Sequence, residues 1–303
     1  MNSTEVAIMR TILYADVFSF PLTLDELHRY LISDYPSSKQ TLSETLQKSS
    51  YLKRHLHRAG DYMCLQTRIE LIARRQARER LSVAMWDDAM KYGRWLSIVP
   101  FVRMVALTGA LAMRNPASAD DDFDYMLVTT PGRVWMARGF AVLLVRFVRL
   151  FGRELCPNYV LAEDALLQQQ QDLYMAHEVT QMRLIQGASL YAEMLTINQW
   201  SQAYLPNALV LDSPKDKRHI IQRLFEWILG GRLGDWLEQW EYERKTKKFS
   251  TQMHTPQSSA EIDVHTVKGH FEDHGQPVMV AYRERLTQYG LRPFGQSSAR
   301  AGD

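Results

Sequence analysis

The 303-residue sequence predicts an α+β protein. A small mixed sheet with helices is expected at the centre, flanked by an N-terminal unit of short helices and a hairpin and by a C-terminal helical domain. Three observations carry this reading. Two central apolar runs, FVRMVAL (101–107) and FDYMLVTT (123–130), are rich in aromatic and β-branched residues and read as strands. Most of the remaining chain places apolar residues at three- and four-residue steps, as amphipathic helices do. The first 67 residues divide into short segments separated by cap and turn residues.

Ile8, Ile12, Ala15 and Phe18 set a helical period over residues 3–18, with Ser3 or Thr4 as the cap. Phe20-Pro21 stops it, because the residue before Pro is pushed out of the helical region. Thr23 caps a second helix, LDELHRYLI, and Glu26 three residues on completes a capping box. A third helix, SKQTLSETLQKS, follows Pro36. Residues 51–66 read as a hairpin about Ala59-Gly60-Asp61. Three short helices and a hairpin make a winged helix. Its wing would carry Lys53, Arg54, His55, His57 and Arg58. The helix that would enter a groove offers only Lys39, Gln40 and Lys48 among Ser and Thr, so a packing or protein-contact role is favoured over nucleic acid.

Residues 68–97 form one long helix with Ile72, Leu81, Met85, Ala89 and Trp95 on its apolar positions. Arg68, Arg74, Arg75, Arg78 and Arg80 crowd its first half, either as a solvated face or as a phosphate-facing cluster. Pro100 ends this helix. After the second central strand, Thr130-Pro131-Gly132 turns the chain into a helix over 133–151. There Arg138, Arg146, Arg149 and Arg153 form a stripe opposite Val142, Leu143 and Val145, reading as the solvent side or as a border of the site. LCPNYVLAED (155–164) reads as a third strand. Helices are expected over 171–187, 188–205, 215–249 and 277–290, with breaks at Pro206-Asn207 and Asp212-Ser213-Pro214 and a bend or split at Gly230-Gly231. Residues 250–263 read as a polar loop, and 297–303 as a disordered tail. The expected domains are 1–67, 68–165 and 166–303.

The hydrophobic fraction of 46% and the charged fraction of 23% suit a soluble globular chain. A net charge of +2 makes no overall case for a polyanion partner. Cys64 and Cys156 lack metal spacing and read as free buried thiols in a reducing compartment. The start, MNSTEVAIMR, has no basic region followed by an apolar core, and Arg138, Arg146 and Arg149 interrupt the most apolar segment. A cytoplasmic protein with no membrane partner is expected.

The chemistry concentrates between the two central strands. Asp122 and Asp124 stand two apart at the start of the second, so they share a face, about 6–7 Å apart at ~3.3 Å per residue. Two such carboxylates repel unless a cation sits between them, and Mg²⁺, which takes a few carboxylates plus phosphate oxygens, is the natural occupant. Gly109 has no Cβ to keep a phosphate from its amide, and the short helix after it presents an N-terminus.

An apolar strand, Gly109-Ala110, a short helix, and Asp122-Phe123-Asp124 thirteen residues after the Gly resemble the DNA-polymerase-β-like nucleotidyltransferase superfamily. Beyond the motif, the chain resembles a bacterial group of stand-alone members with an N-terminal winged-helix-like segment and a helical C-terminal part. The resemblance implies transfer of a nucleoside monophosphate from an NTP to an acceptor, dependent on Mg²⁺ or Mn²⁺ and releasing pyrophosphate. It assigns Asp122 and Asp124 to catalysis and metal binding. It assigns Thr108, Gly109, Ala110, Arg114 and Asn115 to the nucleotide. Two departures stand out. Ala110 replaces the usual Ser or Gly, and Asn158 occupies the centre of the strand that usually supplies a third carboxylate, leaving only a weak metal ligand there. A catalytically degenerate nucleotide- or partner-binding regulator, and a winged-helix nucleic-acid binder, are the alternatives. His270 and His274, with His265 nearby, fail the His-Glu-x-x-His zinc pattern, and Lys268 suits a phosphate better. Glu178, near Tyr174 and Gln181, reads as part of a polar helix face.

Overall fold

The sheet forms where the sequence is most apolar. In the computed structural model, which describes residues 1–208, 219–250, 263–268 and 275–294, the chain is an α+β protein, 56% helical, with a five-stranded mixed sheet and a three-stranded antiparallel sheet.

The smaller sheet belongs to the N-terminal unit: α1 (Ser3–Val17), β1 (Leu22–Thr23), α2 (Leu24–Arg29), α3 (Lys39–Lys48), α4 (Ser50–His55), β2 (Leu56–Ala59) and β3 (Tyr62–Leu65), with strand order β1-β3-β2. The capping box at Thr23 and Glu26 forms as expected. At α1 the cap is Asn2, not Ser3 or Thr4: its side chain accepts the Glu5 amide while Glu5 accepts the Asn2 amide, both at 2.8 Å. The hairpin is shorter than its sequence suggests. The Ser49 hydroxyl accepts the Leu52 amide at 3.1 Å and Leu52 buries, which starts α4. Lys53, Arg54 and His55 therefore lie on a helix, and only His57 and Arg58 remain on the hairpin.

The larger sheet is built from β4 (Val102–Leu107), β5 (Phe123–Thr129), β6 (Leu155–Ala162), β7 (Arg183–Gln186) and β8 (Thr266–Lys268), in the order β7-β4-β5-β6-β8. Only β5 and β6 run parallel. Around it lie α5 (Glu70–Leu96), α6 (Gly109–Ala112), α7 (Val134–Arg149), α8 (Leu173–Gln181), α9 (Ala188–Ile197), α10 (Ile220–Leu229), α11 (Arg232–Ser250) and α12 (Gly275–Gln288). Alternation sorts the central strands. Val105, Leu107, Tyr125 and Leu127 pack with α5 and α7 on one face, while Met104, Ala106, Met126 and Val128 pack with α8 and α9 on the other. Asp124 has the parity of Met126 and so points towards the α8 face.

Three expectations change. Residues 171–187 are not one helix: after Gln181 the chain becomes β7, pairing antiparallel with β4 through Ala106 and Leu184. The open edge of β4 decides this, and Gly187 (φ +93) turns the chain away where a Cβ would strike Met104. The segment after the expected polar loop contributes β8, paired with β6. On α7 the buried line is Trp135, Ala137, Ala141, Val145 and Val148, whereas Leu143 is exposed, so Arg146 and Arg149 are interleaved with apolar side chains rather than set opposite them. The Gly230-Gly231 split between α10 and α11 stands as read. The Asp212-Ser213-Pro214 break, residues 251–262, His270, His274 and the tail at 297–303 lie outside the described residues.

Packing joins what composition divides. Ile8, Leu13 and Leu27 of the N-terminal unit share one cluster with Leu173 and Ala176 of α8 and Tyr282 and Leu286 of α12. Arg75, 1% exposed, bonds Glu26 at 2.7 Å, Glu79 at 2.8 Å and the Arg114 carbonyl at 3.0 Å, and lies 4.0 Å over the Phe20 ring. It is neither a solvated nor a phosphate-facing arginine. It clamps the N-terminal unit to α5 and to the end of α6.

Candidate metal and nucleotide site

Strand pairing sets the site. The Thr108 amide donates to the Asp124 carbonyl at 2.9 Å, closing the β4–β5 ladder where α6 begins. Gly109 follows in the left-handed region (φ +65), and a Cβ there would overlap the Asp124 carboxylate. Glycine is thus required twice, by its backbone angle and by the close approach of Asp124. On the other side of β5, parallel pairing sets Cys156 against Asp124. Asp122, Asp124 and Cys156 each offer a ligand atom, and these lie within 4.8 Å of one another.

Asn158 shares the Cys156 face of β6. Its amide nitrogen donates to the Asp124 carboxylate, and its carbonyl oxygen accepts the Cys156 thiol. Asn158 therefore holds Asp124 in place, and its carbonyl, the atom that would ligate a metal, is occupied by the thiol. Burial is the main force raising the Asp124 carboxyl, with the Asp122 charge next and Glu178 among the smaller contributors; together they push it up to about 7. Burial and the same two aspartates push the Cys156 thiol up to about 12, so it is protonated at neutral pH.

The group could hold a metal ion. Asp124 is held in a low-dielectric position against a like charge, and a divalent ion would relieve the repulsion. Two carboxylates suit a hard ion such as Mg²⁺. A protonated thiol in the third position suits it poorly, so the fit rests on Asp122, Asp124 and oxygens from a ligand.

The other expected residues are distributed around this point. Ala110 follows Gly109 at the start of α6, and no side chain caps that helix, so its first amides have no partner from a cap. Asn115 is engaged structurally: its Oδ1 accepts from Arg78 at 2.9 Å and its Nδ2 donates to the Phe18 carbonyl at 3.2 Å. Arg114 is exposed, with its guanidinium 5.7 Å from the Trp86 ring centroid. His265 bonds Asp164 at 3.2 Å, away from the aspartate pair.

Two participants were not legible as such. Cys156 reads in sequence as an isolated thiol, and only the β5–β6 register brings it to the aspartates. Glu178 comes from α8, near enough to Asp124 to raise its pKa. It lines a cavity of about 290 Å³ with Tyr14, Tyr30, His177, Gly109 and Ala110. Among the described residues, no Lys or Arg lines this cavity. His177 is fully buried, stacked 4.1 Å from the Tyr14 ring, and burial lowers it to about 4, so it is neutral. The Tyr30 hydroxyl is buried without a hydrogen-bond partner.

Comparison with protein-family models, with curated proteins and with solved structures found no match to this chain.

Proposed function

We propose that the chain is a Mg²⁺-dependent nucleotidyltransferase that moves a nucleoside monophosphate from an NTP to an acceptor. The observation that carries this is the meeting of Asp122 with Asp124, and of Asp124 with the glycine turn at Gly109. Carboxylates for a divalent ion and backbone amides for phosphate meet there at one end of the sheet. On this reading the five-stranded sheet is a nucleotidyltransferase core and the N-terminal unit is winged-helix-like. Strand order β1-β3-β2 and the packing of α1, α2 and α3 support the second assignment.

Asp122 and Asp124 would hold the ion, which when bound neutralises the triphosphate and lowers the pKa of an acceptor hydroxyl. The chain's own residues do the rest. Asn158 fixes the rotamer of Asp124. Gly109 lets the phosphates approach the amides that open α6. The cavity beside Gly109 receives the acceptor: its aromatic walls exclude water, and with Glu178 and no Lys or Arg among its described lining residues it offers nothing to bind a second anion. Glu178, close enough to influence Asp124, offers a carboxyl to a hydroxyl or amine of the acceptor.

Asp124→Asn should abolish Mg²⁺-dependent pyrophosphate release from NTPs. Wild-type turnover in the variant would refute the assignment. A second reading, a nucleotide-binding regulator without turnover, is favoured by the protonated thiol and the Asn158 amide where a third carboxylate would stand. Calorimetry with NTP and Mg²⁺ separates the two, since the regulator binds without releasing pyrophosphate. The nucleic-acid reading loses support because Lys53 and Arg54 lie on α4 rather than on the hairpin.

A further inference from the structure

The helix α10 is inside out. Its inward residues are largely polar. Gln222, 1% exposed, donates to the Val99 and Val102 carbonyls at 3.1 and 2.8 Å. Glu226 accepts from the Phe101 amide at 2.9 Å and from Arg103 at 2.5 Å. Only Leu229 reaches an apolar cluster, with Met136 and Phe101. The outward face carries Ile220 (84% exposed), Ile221 (62%), Leu224 (55%) and Trp227 (82%). After the two glycines, α11 continues the exposure with Trp236 (60%) and Trp240 (48%). A monomer in water gains nothing by turning this face outwards.

We infer that the α10–α11 face docks on an anionic membrane surface. The occupant is argued from charge and side-chain type. The acids of these two helices are mostly turned inwards or paired. Glu226 holds Arg103, Glu238 accepts the Trp135 and Met136 amides at 2.9 and 2.7 Å, and Glu241 is buried against Arg244. Asp235 pairs with Arg133 at 2.6 Å. The cations stay at the rim. Arg223 and Arg232 are exposed on the helices themselves. A groove between α7 and α11 sets Arg146 beside Leu143 and Trp240, with Arg244, which pairs with Glu241, on its wall. Exposed apolar side chains also stand on α7, at Phe147 (50% exposed) and Leu150 (80%), with Arg149, paired to Glu154, between them. Exposed tryptophans beside arginines match a headgroup boundary, where an indole sits at the interface and a cation meets lipid phosphate. No helix among the described residues is long and apolar enough to cross a membrane, so the contact lies on the surface. This departs from the expectation of no membrane partner, which addressed only spanning segments.

The test is co-flotation of the full chain with vesicles of phosphatidylcholine alone and of phosphatidylcholine mixed equally with phosphatidylglycerol. The mixed vesicles should carry the protein, with a blue shift in tryptophan fluorescence and loss of binding in high salt. The exposed pair Ile221→Ser with Trp227→Ser should weaken binding roughly tenfold or more while leaving the circular dichroism spectrum unchanged. Arg223→Glu with Arg232→Glu should reduce binding to the mixed vesicles specifically. Absence of binding to the mixed vesicles, or equal binding by the serine variant, would overturn the inference. So would sedimentation showing a wild-type dimer that the serine variant dissociates, with no vesicle binding, since the face would then join two copies of this chain.

Discussion

Asp124 links stability to pH. Folding raises its carboxyl from 3.8 to about 7. The sign is the reverse of a salt-bridged acid. Below about pH 4 both folded and unfolded states are protonated and there is no penalty. Between about pH 4 and 7 the unfolded state ionises while the fold resists, so the metal-free protein loses stability as pH rises and then levels off. Asp124→Asn should remove that slope, raising metal-free stability at about pH 8 by on the order of 2–4 kcal/mol at ~1.4 kcal/mol per pKa unit. Thermal unfolding at acid and alkaline pH, with and without Mg²⁺, measures it, and Mg²⁺ should stabilise the wild type more than the variant. Cys156 offers a complementary test. Cys156→Asp places a third carboxylate within reach of the pair and should tighten Mg²⁺ binding by roughly tenfold or more through a hard oxygen ligand, read by calorimetry. An unchanged affinity would show that the thiol position does not face the ion.

At the scale of elements, the β4–α6–β5 segment was the most legible in sequence. Its strands, glycine turn and aspartate spacing are local, and the structure places Gly109 against Asp124. The neighbouring helix α5 was legible in extent but not in role. Arg75 looked like one of five similar arginines because its partners, Glu26 and the Arg114 carbonyl, come from distant sequence. Arg75→Met should destabilise the protein by roughly 3–5 kcal/mol, the usual result of stripping a buried acid of its partner, seen as a lower urea midpoint. A change under about 1 kcal/mol, the usual range for a surface ion pair, would mean that the clamp carries little. The helix α8 and strand β7 read in sequence as one helix because Arg183-Leu-Ile-Gln carries no turn signal before it, and only the unpaired edge of β4 selects strand.

At the scale of the whole molecule, the three largest core clusters interlock. One lies on each face of the large sheet. The third joins α1 and α2 to α8 and α12. Asp16, 5% exposed, adds polar ties, bonding Arg285 of α12 at 2.7 Å and Arg68 at 3.3 Å. The N-terminal unit should therefore not melt on its own. Leu286→Ala, at a fully buried position, should cost about 2–5 kcal/mol and shift a single transition, with circular dichroism and intrinsic fluorescence coincident. Two separated transitions would show that the N-terminal unit folds independently of α12.

By itself the sequence determined the α+β class, the central strands, the capping box at Thr23 and Glu26 and the spacing that sets Gly109 against Asp124, because each rests on residues within a few turns of one another. Tertiary structure alone decided that Cys156 and Glu178 join Asp124, that Arg75 is a buried clamp, that β7 and β8 extend the sheet and that α10 turns its apolar face outwards. Those outcomes depend on strand register, on open sheet edges and on which face of a helix finds a partner, and one-dimensional spacing does not encode them.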